Sequence, residues 1–285
     1  SDGLLVKGGS GLATLGTPSS AGVPEQIAGL TEVLPLDDEN AASELFAAKG
    51  SEIACVIIEP LPANSGLLVQ RRTFLEHLRS LTRAHGALLI FDEVISGLRV
   101  APGGMTQLTG LQPDIVTLGK IIGGGMPVGA YLAKNALMER IAPLGPVYQA
   151  GTLSGNPVAM AAGIATLKEL AKPGVYERLD ASAAMLQRGF ERALERFEVT
   201  GSVARVGSIL WLSLQAGAAP RAWHAVKQDG AQLYAQIHRR ALAHGLWMAP
   251  SAFEVAFVST AHGAEHIQAA TLAFERALEG VRGEQ

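Results

Sequence analysis

Cysteine is almost absent from this 285-residue sequence, in which Cys55 is the only one. A disulfide within the chain is therefore impossible, and a cysteine-based metal cluster is not expected. Because Cys55 lies in the apolar run 53–58, we expect a small, buried hydrophobic side chain there. The seven histidines are scattered and show no HExxH or similar ligand spacing, so the sequence predicts no metal site.

Long apolar runs and basic runs are also missing. No uninterrupted apolar stretch reaches the roughly 18 residues that a membrane helix needs, and the opening residues lack the order of a signal peptide. The formal charge is −3, from 23 basic and 26 acidic residues without a Lys/Arg-rich run, which argues against nucleic acid and membrane as partners. We therefore expect a cytoplasmic protein with a substantial core.

Short apolar runs alternate with helical patterns in the first half of the chain. Residues 71–85 have apolar side chains at helical spacing and predict a helix that ends at Gly86. Short apolar runs predict buried strands over 53–58, where β-branched residues support it, and over 87–91, 114–118 and 128–133. Apolar strands that alternate with helices indicate an α/β sheet covered on both faces.

The second half of the chain is mostly helical and indicates a smaller α+β domain. Its predicted helices span 157–171, 175–197, 222–244 and 263–281, and its predicted strands span 203–214 and 253–259. We therefore predict a large domain over residues 1–155 that opens with a Gly-rich loop over 1–28. A linking helix and a small C-terminal domain follow over 156–285.

Polar side chains stand at the carboxyl ends of three predicted strands, where α/β sheets bind ligands. Glu59, Asp92 and Lys120 occupy these positions. An acid and a lysine at one edge suggest a reactive pair, and a structural ion pair explains the same pattern. Glu93 follows Asp92 and should point to the opposite face, so we interpret it as structural. We interpret Glu59 as a residue that supports the site rather than one that reacts.

The lysine is followed by the Gly-rich stretch 121–127, which begins Ile121-Ile122 and continues with three glycines. Such glycines let the backbone approach a ligand closely. The stretch matches neither the GxxxxGK[ST] phosphate loop nor the dinucleotide pattern GxGxxG. A lysine buried among these apolar neighbours is suited to Schiff-base formation and proton transfer.

A third polar segment, residues 149–157, lies just before a predicted helix. Backbone amides at a helix start and the hydroxyls of Thr152 and Ser154 suit an anion such as phosphate. Capping of the helix by Asn156 or Ser154 explains the same residues. The sequence leaves both interpretations open.

Three segments together resemble the class III aminotransferases: 91–99 (FDEVISGLR), 113–125 (PDIVTLGKIIGGG) and 145–157 (GPVYQAGTLSGNP). Within that family they are most similar to the glutamate-1-semialdehyde 2,1-aminomutases, and the likeness extends from the Gly-rich opening to residues 251–262. The resemblance implies an α/β fold of fold type I, like that of aspartate aminotransferase. It also implies pyridoxal 5'-phosphate as cofactor and a homodimer with shared active sites.

The resemblance also implies roles for individual residues. Lys120 would form the Schiff base with the cofactor and later move a proton, and Asp92 would pair with the protonated ring nitrogen so that the ring accepts electrons. Val94 would pack on one face of the ring. The other residues with implied roles are Asn64 near the phenolic oxygen, Gly151 and Thr152 at the phosphate of the neighbouring subunit, Ser10 in a lid-like opening loop, and Glu254 in the substrate pocket.

Family members also carry an upstream third that has no counterpart in this chain, including a phosphate-binding loop and an aromatic residue that stacks on the ring. We expect the chain to be part of a longer protein, and a truncated homologue is the alternative.

The activity implied by the resemblance is amino-group transfer that turns glutamate-1-semialdehyde into 5-aminolevulinate, a precursor of porphyrins and other tetrapyrroles. Leu98 and Ser96 stand where aminomutases more often have Phe and Thr. Another class III activity, an ω-aminotransferase or an amino-acid racemase, is therefore the nearest alternative. A non-catalytic truncated subunit is the alternative from another class.

Overall fold

The computed structural model describes residues 22–282, and within them it contains two β-sheets. The first sheet has the order β1-β2-β3-β4, with β1, β2 and β3 parallel and β4 antiparallel to β3. Its strands are β1 (Cys55–Ile58), β2 (Leu88–Asp92), β3 (Ile115–Leu118) and β4 (Ala130–Ala133). All four strands predicted for this region are confirmed to within two residues at each end, but the prediction that they are buried is wrong for β4, where Tyr131 and Leu132 are exposed.

Nine α-helices lie in the described part of the chain. They are α1 (Glu25–Ala28), α2 (Glu39–Lys49), α3 (Arg72–His85), α4 (Gly104–Thr109), α5 (Asn135–Met138), α6 (Pro157–Leu170), α7 (Val175–Arg196), α8 (Gly230–Ala243) and α9 (Ala264–Arg282). Helix α3 crosses from β1 to the parallel strand β2 and ends at Gly86, whose φ of 71° is the left-handed value that favours glycine. The apolar face of α3 packs with Leu89 and Phe91 in one core cluster.

The edge strand β1 is more exposed than the sequence predicted, and so is Cys55 within it. Within it only Ile58 is buried, and Cys55 and Ile57 are exposed. Successive side chains of a strand point to opposite faces, and Cys55 and Ile57 share the face that nothing in residues 22–282 covers. The prediction of a strand buried on both faces is therefore wrong for β1, and so is the prediction of a buried Cys55.

The second sheet is antiparallel, with β6 at its centre. Its strands are β5 (Ser202–Val206), β6 (Ile209–Ser213) and β7 (Ala256–Phe257). The predicted single strand 203–214 is wrong, because the chain turns back at Gly207, where φ is 54°. Helices α7, α8 and α9 supply much of the core of this sheet, including a stacked pair, Phe190 and Phe274, whose ring centroids are 4.0 Å apart.

A shared apolar cluster joins residues from both halves of the chain. Leu67, Leu68 and Met105 from the first half pack in it with Ile209 and Trp211 of β6. Leu210 and Leu212 pack in the cluster on the other face of the sheet, and all five residues of β6 are buried. The division into domains at residue 155 stays a prediction, because the packing is continuous across it.

Candidate active site

Three strand ends place the candidate side chains next to one another. Ile58 is paired with Phe91, and Asp92 is paired with Thr117. Glu59 follows Ile58 and Asp92 follows Phe91, so the register places Glu59 next to Asp92. Thr117 lies on the other side of Asp92. Neighbouring strands are about 4.8 Å apart, so these side chains are within interaction range. Lys120 follows two residues beyond the end of β3.

Asp92 is half-buried and is held through one of its two carboxylate oxygens. Its Oδ1 accepts hydrogen bonds from the backbone N–H of Val94 at 3.0 Å and from Oγ1 of Thr117 at 3.2 Å. Its Oδ2 has no hydrogen-bond donor among residues 22–282. An oriented carboxylate with one open oxygen is suited to accept a charge-assisted hydrogen bond from a cationic ring nitrogen. The residue therefore fits the role that pyridoxal phosphate requires of it.

Glu59 has a strongly perturbed carboxyl group. Burial, and next the negative charge of Asp92, raise the pKa of Glu59 to about 7. The backbone N–H of Ala63 and the charge of Lys120 act in the opposite direction and lower the pKa. The charges of Asp92 and Lys120 therefore both act on Glu59.

Lys120 adopts a backbone conformation that side chains rarely adopt, with φ at 47°. Positive φ in a residue other than glycine costs free energy and is often found at functional sites. Lys120 starts a single 3₁₀ turn, Lys120–Gly123, and the preceding Gly119 packs against the Val94 side chain. The Lys120 side chain is exposed, which corrects the expectation that its apolar neighbours bury it.

The glycines after Lys120 allow close packing against helix α6. A Cβ on Gly124 would lie 2.6 Å from the carbonyl oxygen of Ala162, and a Cβ on Gly163 would collide with the carbonyl oxygen of Ile122. Both collisions involve backbone atoms, which cannot move aside cheaply. Gly124 and Gly163 therefore allow the turn that begins at Lys120 to pack directly against helix α6.

Glu93 caps a helix, as its structural interpretation predicted. Its carboxylate is buried and accepts hydrogen bonds from the backbone N–H groups of Met105, at 2.6 Å, and Thr106, at 2.9 Å. The hydroxyls of Thr106 and Ser96 also donate to it. These contacts satisfy the free amides at the start of α4 and turn Glu93 away from Asp92.

The segment before α6 shows the capping arrangement at Asn156. Oδ1 of Asn156 accepts hydrogen bonds from the backbone N–H groups of Val158 and Ala159, which confirms helix capping there. Thr152 is exposed, and no hydrogen bond within the described residues joins it to Asp92 or Lys120. The phosphate-binding roles of Gly151 and Thr152 stay predictions.

Asn64 and Glu254 lie on two loops that touch. The backbone N–H of Gly66, two residues after Asn64, donates a 2.6 Å hydrogen bond to the carbonyl of Phe253, which precedes Glu254. Glu254 adds its charge to the burial that raises the pKa of Tyr234 to about 12. The cofactor role of Asn64 and the substrate role of Glu254 stay predictions, and Ser10 lies outside the described residues.

Thr117 is a site residue that sequence reasoning missed. A signal was present, because Thr117 is the only polar residue in the apolar run 115–118. Its register with Asp92 needed the structure. Over residues 22–282, no cluster of His, Cys, Asp and Glu could hold a metal ion. No helix in the same range is long and apolar enough to cross a membrane.

The fold and this site define a class of protein. A family model described as aminotransferase class III matches residues 7–278, and the chain belongs to that family. Class III aminotransferases depend on pyridoxal phosphate. The predicted fold type I, cofactor and family are thereby confirmed.

The similar proteins include curated glutamate-1-semialdehyde 2,1-aminomutases. The protein of that name from Desulforudis audaxviator is 51% identical over 277 residues, which cover 97% of this chain and 64% of the relative. The one from Thermus thermophilus is 47% identical, with 97% and 65% covered. The chain thus spans slightly less than two thirds of the length of these relatives.

Solved structures agree with this assignment. An ω-transaminase from Sphaerobacter thermophilus superposes with a TM-score of 0.87 at 33% identity, covering 94% of this chain and 61% of that one. A glutamate-1-semialdehyde aminomutase from Pseudomonas aeruginosa superposes with a TM-score of 0.79 at 27% identity, covering 92% and 60%. The predicted resemblance to class III enzymes is therefore confirmed in sequence and in fold.

Proposed function

We propose that the whole protein is a pyridoxal-phosphate-dependent aminomutase that converts glutamate-1-semialdehyde into 5-aminolevulinate, a porphyrin precursor. The observation that carries the proposal is the position of Asp92, fixed through Oδ1 and open at Oδ2, at the same sheet edge as Lys120, which follows the neighbouring strand β3 by two residues. The names of the relatives at 45–51% identity support the choice of substrate.

Bound pyridoxal phosphate supplies an aldehyde that takes up the substrate amine and a ring that accepts electrons from the reacting carbon. Asp92 keeps the ring nitrogen protonated, and Thr117 and the Val94 amide keep Asp92 oriented. Nζ of Lys120 takes up and returns the proton at the carbon that bears the amine. Val94 supplies an apolar contact to the ring face.

The ω-aminotransferase alternative is favoured by one observation, the high TM-score of the Sphaerobacter thermophilus enzyme. The departures at Ser96 and Leu98 do not favour it. Ser96 is buried and donates to Glu93, and the Leu98 carbonyl accepts a hydrogen bond from the Tyr176 hydroxyl at 2.8 Å. Ser96 therefore supports Glu93 behind the site, and the contact of Leu98 uses its backbone carbonyl, which any residue at that position would also offer.

A cytoplasmic homodimer with shared active sites is part of the same proposal. Leu144, Tyr148 and Leu153, which flank the exposed Thr152, are 79%, 82% and 68% exposed. Covering such side chains with a second copy would remove apolar surface from water and bring Thr152 to the partner's site. A cytoplasmic location is where an enzyme that makes a soluble tetrapyrrole precursor would meet its substrate.

The experiment that tests this function uses the purified protein and its Lys120→Ala variant. The unchanged protein should show visible absorbance with pyridoxal phosphate, and borohydride should fix the cofactor to Lys120. It should also make 5-aminolevulinate without an added amino donor, and Lys120→Ala should lower that rate by about 10³-fold or more. Lys168→Ala, at an exposed lysine on α6, is the matched control.

Three other results would point to the alternatives. Turnover only with an added amino donor favours the ω-aminotransferase, and inversion of an amino acid favours the racemase. A colourless protein that takes up no cofactor indicates a non-catalytic subunit.

A further inference from the structure

Glu59 is the titratable group at the site that the proposed reaction leaves unused. Glu59 comes directly after β1, and Asp92 is the last residue of β2. The register of the two strands places these two residues next to each other. A negative charge on one of two neighbouring carboxyl groups disfavours ionisation of the other. The contacts of each group indicate which of the two is favoured in its charged form.

The surroundings of the two carboxyl groups are unequal. Asp92 accepts two hydrogen bonds, from the Val94 amide and the Thr117 hydroxyl, and both stabilise its charged form. Glu59 is half-buried like Asp92, has the backbone N–H of Ala63 as the one backbone group that favours its charged form, and is followed by the buried segment 60–63, in which Leu61 and Ala63 are each only 1% exposed. Burial with fewer donors favours the neutral form of Glu59.

We propose that Glu59 is a positioning residue of the cofactor site, which holds the proton of the Glu59–Asp92 pair and so keeps Asp92 the charged partner of the ring nitrogen. The proposal rests on the proposed function in one respect, namely that the cofactor ring meets Asp92. The charged groups that act on Glu59 are Asp92 on β2 and Lys120 after β3, and no other charged group of residues 22–282 contributes appreciably. Glu59 touches neither substrate nor cofactor in this role and acts through Asp92.

A consequence follows for pH dependence. When Glu59 loses its proton, a second negative charge appears beside Asp92 and near Lys120. That charge changes the electric field at the cofactor site, so the visible spectrum of the bound cofactor should change in the neutral pH range. A Gln at position 59 has the shape of the neutral acid and cannot ionise, so it should remove this change.

The first experiment follows the carboxyl carbon of Glu59 by ¹³C NMR in the cofactor-free protein, selectively labelled at glutamate. Its titration midpoint should lie well above that of an exposed glutamate, and Glu59→Gln assigns the signal. Asp92→Asn removes the neighbouring charge and should lower the midpoint by about one pH unit or more. A midpoint at the ordinary value, or one unmoved by Asp92→Asn, overturns the proposal.

The second experiment titrates the absorbance of the bound cofactor from about pH 5 to about pH 9. The unchanged protein and Glu52→Gln, an exposed control just before β1, should both show a transition near neutral pH that Glu59→Gln lacks. The same transition in Glu59→Gln would contradict the role of Glu59. Failure of the unchanged protein to bind cofactor refutes the proposed function instead, and the NMR experiment still tests the pair.

Discussion

At the scale of single residues, the site depends on how firmly Asp92 is held. Thr117→Val would keep the shape of the strand and remove the 3.2 Å hydrogen bond to Oδ1. A hydrogen bond to a charged group contributes about 1.5–3 kcal/mol, so the affinity for pyridoxal phosphate should fall by roughly 10-fold or more. Equilibrium titration of the cofactor measures this loss, and Thr260→Val, at an exposed threonine, is the control. Equal affinities in the two variants would show that Thr117 does not orient Asp92.

The second prediction concerns how Glu59 makes the stability of the folded protein depend on pH. The pKa of this carboxyl is raised from 4.5 to about 7 by burial and by Asp92, so the folded protein binds its proton more tightly than the unfolded chain. The stability that this proton provides is complete below about pH 4.5 and is lost as pH rises through about 7. Its upper limit is ~3 kcal/mol.

Urea unfolding at a series of pH values measures this effect. Above about pH 7, the free energy of unfolding of Glu59→Gln should be higher relative to that of the unchanged protein than it is at low pH. The part of the pH dependence that comes from ionisation of Glu59 should be absent in the variant. Parallel stability curves for the two proteins would show that Glu59 ionises normally in the folded state.

Residue chemistry was partly predictable from sequence and partly not. The positions of Asp92, Glu59 and Lys120 at strand ends followed from apolar runs, and the opposite orientation of Glu93 followed from strand alternation. The exposure of Lys120 and the contact between Thr117 and Asp92 did not, because both depend on strand register and on how the 3₁₀ turn packs against α6. Both depend on contacts between residues that are distant in sequence, which the local hydrophobic pattern does not determine.

At the scale of elements, Glu93 connects the end of β2 to the start of α4. Glu93→Ala would leave the backbone N–H groups of Met105 and Thr106 buried without acceptors, which costs about 1–3 kcal/mol for each group. We expect the free energy of unfolding to fall by about 3 kcal/mol, measured by urea denaturation, with Glu44→Ala on the exposed face of α2 as control. An unchanged unfolding midpoint would mean that α4 finds other acceptors.

The element pattern shows where sequence periodicity reaches its limit. The parallel strands and helix α3 were predicted because apolar runs and a Gly cap mark them directly. The hairpin of β5 and β6 was predicted as one strand, because Gly207 and Ser208 interrupt a run that is apolar on both sides. Periodicity also could not show that β6 is buried along its whole length, since both faces are covered by residues distant in sequence.

At the scale of the whole molecule, the second sheet packs against loop and helix residues of the first half of the chain through the shared cluster around Trp211, and a hydrogen bond joins Gly66 to Phe253. This contact brings the loop of Asn64 against the loop of Glu254, on opposite sides of the predicted boundary at residue 155. The packing therefore brings together two loops that are distant in sequence, as the predicted roles of Asn64 and Glu254 require. Thr152 does not join that cluster and remains exposed.

The last prediction follows from the exposed position of Thr152. If each site takes Lys120 from one subunit and Thr152 from the other, mixed dimers of Lys120→Ala and Thr152→Ala contain one site with both changes and one with neither. Each variant alone should be nearly inactive, and after unfolding and refolding together they should recover about a quarter of the unmixed activity of the unchanged protein, since about half of the dimers are mixed. The measurement compares activity before and after mixing, with each variant refolded alone as control. It tests whether Lys120 and Thr152 of one site come from different subunits. No recovery on mixing would place Lys120 and Thr152 in the same subunit's site, or show that Thr152 does not contact the phosphate.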